Sequence, residues 1–292
     1  MKKNILITGG NGLIAYELIK IFAKEFNVFC LTSSKVDFKS DNLEVIKVNF
    51  NESWNTNILP KKIDIIYHLS QSANFRKFPK MTLEIFNVNT FSTLKLLEYA
   101  RNANCQKFVF ASTGGLYGSG DFSFSENDQI NLKIKKNFYL TSKFCSELLV
   151  DNYKQFFNVF IIRFFFVYGK RQSRDMLIPR LIDNIESEKI IVLNSKEGIK
   201  INPIYVDDAV NALKRIILLK DSETINIAGN EIFSFREICE IIGNELSIKP
   251  HFEINGSETL NLIGDIKKMN SILVKPKVNL RTGLKILIGE KK

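Results

Sequence analysis

Short, almost wholly apolar runs recur through the first half of the chain, separated by segments of helical period. Residues 4–8, 28–32, 43–48, 63–69, 107–112 and 159–163 are dense in Ile, Val, Leu and Phe. Continuous apolar content, as opposed to alternation, is what a strand buried on both faces requires. Helical spacing covers 12–25, 81–103 and 138–157. This alternation predicts an α/β fold, a doubly wound parallel sheet with right-handed crossovers.

The second half is less regular. A helix is expected over 177–187 and a strand over 190–193. Asp207 is expected to cap a helix over 208–220, with a further strand at 224–228. Ser234 and Glu237 have capping-box spacing for a helix over 234–244. The parallel pattern stops near Gly169. Two domains follow: 1–168, and a smaller α/β C-terminal domain at 169–292. Parts of 204–228 are expected to pack back on the first. The sequence has no internal repeat or low-complexity tract.

Apolar residues make up 45% and charged residues 25%, as in soluble globular chains. The longest apolar stretch, 159–167, is interrupted by Arg163, far short of the ~20 residues of a membrane span. Lys2 and Lys3 precede Ile5-Leu6-Ile7, but that apolar stretch is too short for a secretion signal and ends in Thr-Gly-Gly. The net charge of +10 is spread, with no run of Lys or Arg longer than two, so no nucleic-acid groove and no membrane surface is expected. Cys30, Cys105, Cys145 and Cys239 form no CxxC pair, and with two histidines no metal site is expected. Reduced thiols and a cytoplasmic location are the expectation.

The strongest local signal is Thr8-Gly9-Gly10-Asn11-Gly12-Leu13-Ile14-Ala15, between the first strand and the first helix. Glycines permit the tight turn and close approach of a pyrophosphate, and the helix N-terminus offers free N–H groups to it. Gly9, Asn11, Gly12, Leu13 and Ile14 are therefore candidates to hold a dinucleotide. A carboxylate after the second strand would bind the ribose of NAD, but the sequence there is Thr32-Ser33-Ser34-Lys35. Those residues suit a 2′-phosphate, which favours NADP over NAD, although Asp37 reaching back would favour NAD. Asn49 and Phe50, after the third strand, are candidates for the same site.

Tyr139 and Lys143 stand at i and i+4 in a helical segment, on one face. A phenol has a pKa near 10, and a neighbouring ammonium favours its phenolate, which makes a usable acid/base.

In chain order, Thr8-Gly-Gly-Asn-Gly12, His68-Leu-Ser70, Asn89 with Leu96-Leu-Glu98, Ser112-Thr113-Gly-Gly-Leu-Tyr117-Gly118, Tyr139-xxx-Lys143, Arg163-xxx-Val167-Tyr168-Gly169 and Tyr205-Val-Asp-Asp208 resemble the extended short-chain dehydrogenase/reductase family. This is the NAD(P)-dependent epimerase/dehydratase group that acts mostly on nucleotide sugars. The resemblance implies a Rossmann domain for NAD(P) and a C-terminal domain for a nucleotide-activated sugar. It implies that Thr113 polarises the reacting sugar oxygen, that Tyr139 is the acid/base, and that Lys143 lowers its pKa and holds the nicotinamide ribose. Leu69, Ser70 and Gln71 would line the cofactor, Asn89 would hold a helix carbonyl or a water, and His68 takes no chemical part. A homodimer through a helix bundle is also implied.

Departures from the family pattern shape the reading. Gly114 and Gly115 follow Thr113 where dehydratases carry Asp-Glu, and glycine transfers no proton, so dehydration is disfavoured. Ile201-Asn202-Pro203 replaces an Arg-Asp-Phe whose Arg binds the substrate diphosphate. Arg171 and Arg174 are candidates to take over, with Lys170 and Lys200 as others. Phe166 stands where an Asn is common; it and Gly114 would border substrate, and Phe166 the cofactor as well. The expected activity is hydride transfer at C4 of a nucleotide sugar in carbohydrate biosynthesis, by a 4-ketoreductase using NADPH ahead of a 4-epimerase retaining NAD. The alternative outside enzymology is a non-catalytic dinucleotide-binding regulator.

Overall fold

The computed structural model describes residues 2–130, 137–256 and 261–289. Strands β1 (Asn4–Thr8), β2 (Asn27–Thr32), β3 (Leu43–Lys47), β4 (Ile65–His68) and β5 (Lys107–Thr113) join strands Asn158–Phe164 and Glu223–Ile227 in one seven-stranded sheet. The order is Glu223–Ile227, Asn158–Phe164, β5, β4, β1, β2, β3. β1 pairs in parallel with both β2 and β4, β2 with β3, and β4 with β5. The order reverses between β1 and β4, the kind of switch point at which doubly wound sheets bind ligands.

Burial explains the strand sequences. Ile5, Leu6 and Ile7 of β1 and Ile65 and Ile66 of β4 have no exposed surface, because helices cover both faces. α1 (Leu13–Phe22) buries Ala15, Leu18, Ile19 and Phe22, one stripe at helical spacing. Leu96, Leu97 and Ala100 of α3 (Ser92–Asn102) join Leu6, Ile66, Phe108 and Phe110 in the core. The single helix expected over 81–103 is interrupted. α2 (Thr82–Phe86) passes through a π-helical turn, Asn87–Phe91, before α3 begins. Such turns insert a residue and re-aim side chains, frequently at functional sites.

α4 (Phe138–Asn152) turns an unusual face inward: Ser142, Lys143, Ser146, Glu147 and Val150. Asn137 caps it, its side chain accepting from Leu140 N at 2.9 Å.

Two compact units divide the chain: Met1–Leu116 with Leu132–Arg163 and Ile216–Ile225, and Tyr117–Asn131 with Phe164–Arg215 and Asn226–Lys292. The first holds the sheet. In it the buried Lys107 ammonium donates to Ile216 O at 3.3 Å and Ile217 O at 2.5 Å, and also to Leu219 O, matching a cation to a helix C-terminus. In the second, α5 (Leu177–Glu186) and α6 (Val206–Arg215) lead to α7 (Phe235–Leu246). The capping box of α7 is present: Ser234 Oγ accepts from Glu237 N at 3.1 Å, and Ser234 N donates to Glu237 Oε2 at 2.7 Å. Asp207 does not cap α6. The helix starts one residue earlier, and Asp208 instead accepts from Lys277 N and Val278 N at 2.9 and 2.8 Å. No helix among the described residues is long and apolar enough to cross a membrane.

Candidate active site

The glycine turn lies at the switch point. Gly9 has φ +78°, and a Cβ there would sit 3.0 Å from Ser70 Cα. Both observations demand glycine. A Cβ on Gly10 would come within 2.2 Å of Cys30 Sγ, so that position also admits no side chain as it stands. Gly12 N donates to Gly9 O at 2.7 Å and closes the turn. No side chain caps α1, so its first N–H groups have no capping oxygen. This bare, Cβ-free cradle fits the pyrophosphate of a dinucleotide.

The candidates around it fare differently. Ser33, Ser34 and Lys35 are exposed, as a 2′-phosphate site needs, and Asn11 Nδ2 donates to Lys35 O at 2.7 Å, tying that loop to the turn. Thr32 is buried, its hydroxyl accepting from Ser34 N at 3.2 Å. Asn49 spends its amide on Glu52 Oε1 at 2.5 Å and on Asn51 N at 3.1 Å. Phe50 packs in the core with its ring 5.0 Å from that of Trp54, leaving its backbone as the part able to meet a ligand.

His68 is fully buried and locks the loop after β4. Thr93 Oγ1 donates to Asn89 O at 2.7 Å, so it must accept from His68 Nε2, 2.9 Å away. The bare Nδ1 then accepts from Thr8 Oγ1 at 2.9 Å. Thr8 Oγ1 in turn accepts from Leu69 N and Ser70 N at 3.0 and 3.1 Å, fixing both residues beside the glycine turn. Burial, and then the Lys143 charge, push the imidazole down to about 3, so it stays neutral.

The acid/base group stands in a directed chain. Gly115 N donates to Thr113 Oγ1 at 3.2 Å, the Thr113 hydroxyl bonds to the Tyr139 phenol, and the phenol donates to Gln71 Oε1 at 3.1 Å. Gln71, expected only to line the cofactor, is thus the acceptor for the phenol proton. The Phe75 ring packs on Tyr139 at 5.0 Å, a neighbour no motif indicated. Burial pushes the phenol up to about 12, with the Thr113 bond acting the other way. The expected lowering by Lys143 is not seen in the protein alone. Lys143 Nζ donates to Ala111 O at 2.8 Å, and its own pKa is pushed down to about 7 by burial. An amine so desolvated carries its charge only in part.

Asn89 is a pin. Its Oδ1 accepts from Ser72 N at 2.8 Å and its Nδ2 donates to Ser142 Oγ at 2.9 Å. Both ends of the amide are committed to protein and the residue is 1% exposed, so it does not reach for a cofactor.

Phe166, Arg171 and Arg174 belong to the other unit. Phe166 has φ +43° and packs against Tyr117, Phe124, Phe165 and Ala228. Arg174 is already engaged: Nε donates to Asp183 Oδ2 at 2.7 Å, and Nη2 to Pro179 O at 3.0 Å. The pair is exposed on both sides, so it holds Arg174 only weakly. Arg171 is exposed, with φ +64°.

Comparison with known proteins places the chain in a family. Residues 5–228 match the family model of the NAD dependent epimerase/dehydratase family. A GDP-6-deoxy-D-talose 4-dehydrogenase of Aggregatibacter actinomycetemcomitans is 28% identical, over 92% of this chain and 90% of its own length. The human dTDP-D-glucose 4,6-dehydratase is 27% identical, over 97% and 88%. The crystal structure of UDP-glucuronic acid 4-epimerase from Bacillus cereus, in complex with UDP-glucuronic acid and NAD, shares the fold. Its TM-score is 0.86, with 24% identity over 97% of each chain. From the bare cradle at Gly9–Gly12 to Tyr139 and Lys143 on one helix, and with the family match covering most of its length, this chain belongs to the NAD dependent epimerase/dehydratase family.

Proposed function

We propose that the protein reduces a keto group at C4 of a nucleotide-activated sugar, taking NADPH as a consumed substrate. One observation carries this reading. The Tyr139 phenol carries its proton toward Gln71 Oε1, and burial keeps it protonated against the opposing Thr113 bond. A proton donor is what reduction of a carbonyl needs at its oxygen. The dinucleotide, when bound, supplies the hydride. Tyr139 donates its proton to the developing alkoxide, Thr113 orients the same oxygen, and Lys143 holds the ribose hydroxyls beside the phenol. The first unit takes the dinucleotide on the Gly9–Gly12 cradle, with the 2′-phosphate at Ser33, Ser34 and Lys35. The second unit takes the sugar nucleotide, with Arg171 at its diphosphate.

A 4-epimerase with retained NAD is the second reading. It is supported by neighbours of like fold that bind NAD, such as the Bacillus cereus enzyme. Dehydration is disfavoured. Gly114 and Gly115 offer no proton, and a Cβ on Gly115 would stand 3.0 Å from Leu140 Cδ2, so the site is built without a side chain there. A non-catalytic regulator has no need of the directed phenol. We also infer that a second copy covers Leu83, Phe86 and Leu148, which are 76%, 44% and 52% exposed on α2 and α4.

The test is the cofactor that copurifies, followed by turnover on UDP-, dTDP- and GDP-sugars and their 4-keto forms. Weakly held NADPH oxidised only with a keto sugar supports the reductase. Tightly held NAD with interconversion of 4-epimers overturns it in favour of the epimerase. Binding without turnover on any of them overturns both.

A further inference from the structure

The chemistry above leaves the charge of Lys143 itself unexplained. Lys143 is 2% exposed, bonded to Ala111 O, with its Nζ 5.1 Å from the Phe110 ring centroid. One turn further along α4, at i+4 on the same face, Glu147 is 4% exposed. It meets Arg163 in a two-bond fork, Nε to Oε1 at 3.1 Å and Nη2 to Oε2 at 2.8 Å. Arg163 is 7% exposed and rises from strand Asn158–Phe164.

We propose that the Glu147–Arg163 pair sets the charge carried by Lys143, Glu147 sustaining the ammonium and Arg163 limiting how strongly it does so. What the ammonium is used for rests on the function proposed above. A buried carboxylate one turn away favours a buried cation, and a guanidinium forked onto that carboxylate draws off part of its field. Among the described residues, these groups also lie near Lys143. On α4 Tyr139 lies one turn before it, β4 offers the neutral His68, and β5 presents the Ala111 carbonyl and the Phe110 ring. Burial lowers the amine and Glu147 raises it, with the balance near neutrality, so a modest change in either partner alters its charge. Glu147 and Arg163 are positioning residues: they act on the reaction through Lys143.

The test follows the Lys143 side chain by NMR in the full chain labelled at lysine Cε, with the resonance assigned by its loss in Lys143→Met. Glu147→Gln should lower the titration midpoint by about one pH unit, and Arg163→Met, which acts only through Glu147, should raise it by about half as much. Opposite signs distinguish this from simple loosening, which would admit water and raise the midpoint in both. Unchanged midpoints in folded variants, or two upward shifts, overturn the proposal. Each single change leaves a buried charge unmatched. The double variant Glu147→Gln/Arg163→Met therefore serves where the singles do not fold. Its midpoint should fall, and an unchanged one overturns the proposal equally. Affinity for NADPH should follow the same midpoints. If the amine titrates as stated but NADPH affinity ignores it, the role given to Lys143 toward the dinucleotide fails while the charge relation stands.

Discussion

Asn89 Nδ2 donates to Ser142 Oγ at 2.9 Å, and Ser142 Oγ donates to Tyr139 O at 2.7 Å. The backbone that carries the phenol is therefore fastened from behind by a residue of the π-helical turn. The other end of the same amide holds Ser72, next to Gln71. One side chain thus keeps the proton donor and its acceptor in register, which a loop alone would leave loose.

Removing the phenol hydroxyl tests the mechanism directly. Tyr139→Phe should lower kcat by roughly 10²–10⁴-fold and leave dinucleotide affinity nearly unchanged, because the hydroxyl carries the proton while the cradle binds the cofactor. Near wild-type turnover in this variant would remove Tyr139 from the reaction.

Cofactor choice should reside in the loop after β2. Ser33→Asp places a carboxylate where the 2′-phosphate is proposed to lie. It should weaken NADPH by about 1–3 kcal/mol, roughly 5- to 150-fold, while sparing NADH. Equal affinities before and after, measured by fluorescence titration, would place the phosphate elsewhere.

The two arginines after Gly169 should separate. Arg171→Ala should raise KM for the nucleotide sugar, because a desolvated diphosphate needs a cation. Arg174→Ala breaks an exposed pair with Asp183, so it should cost only ~0.2–1 kcal/mol of stability and leave KM in place. A KM effect confined to Arg174→Ala would reverse the assignment.

His68 predicts a pH-dependent stability. Its folded pKa, about 3, lies below the ordinary 6.5. The unfolded chain therefore takes up a proton that the folded chain refuses, and stability present above pH 6.5 is lost as the pH falls toward 3. The slope from this one group approaches ~1.4 kcal/mol per pH unit. Urea midpoints of His68→Gln should fall less steeply than wild type below pH 6.5. Parallel curves would mean that the imidazole is already charged in the fold.

Association should depend on the apolar residues of α2 and α4. Leu83→Glu with Leu148→Glu should give a monomer by light scattering where the unmodified protein is a dimer. A charge at each position opposes burial against a second copy. An unmodified protein that is monomeric at every concentration would dispose of the idea.

By itself the sequence determined the sheet. Ile5–Ile7, Ile65–Ile66 and the other strand interiors are apolar on both faces, and, alternating with helical segments, such runs are what a covered parallel sheet hides. It determined the glycine turn too, since a left-handed Gly9 and the Cβ-free contacts at Gly9 and Gly10 are properties of residue type. The tertiary structure decided what the polar residues do. The inward face of α4 is Ser142, Lys143, Ser146 and Glu147, while Leu148 lies outside, so hydrophobic period could not orient that helix. Partners such as Asn89 with Ser142, Arg174 with Asp183 and Asp208 with Lys277 are 53, 9 and 69 residues apart. Hydrogen bonds and charge respond to distance in space and to local burial. Only the folded chain could therefore show that Arg174 and Asn89 have protein partners, that the phenol hydrogen-bonds to Gln71, and that burial works against the charge on Lys143.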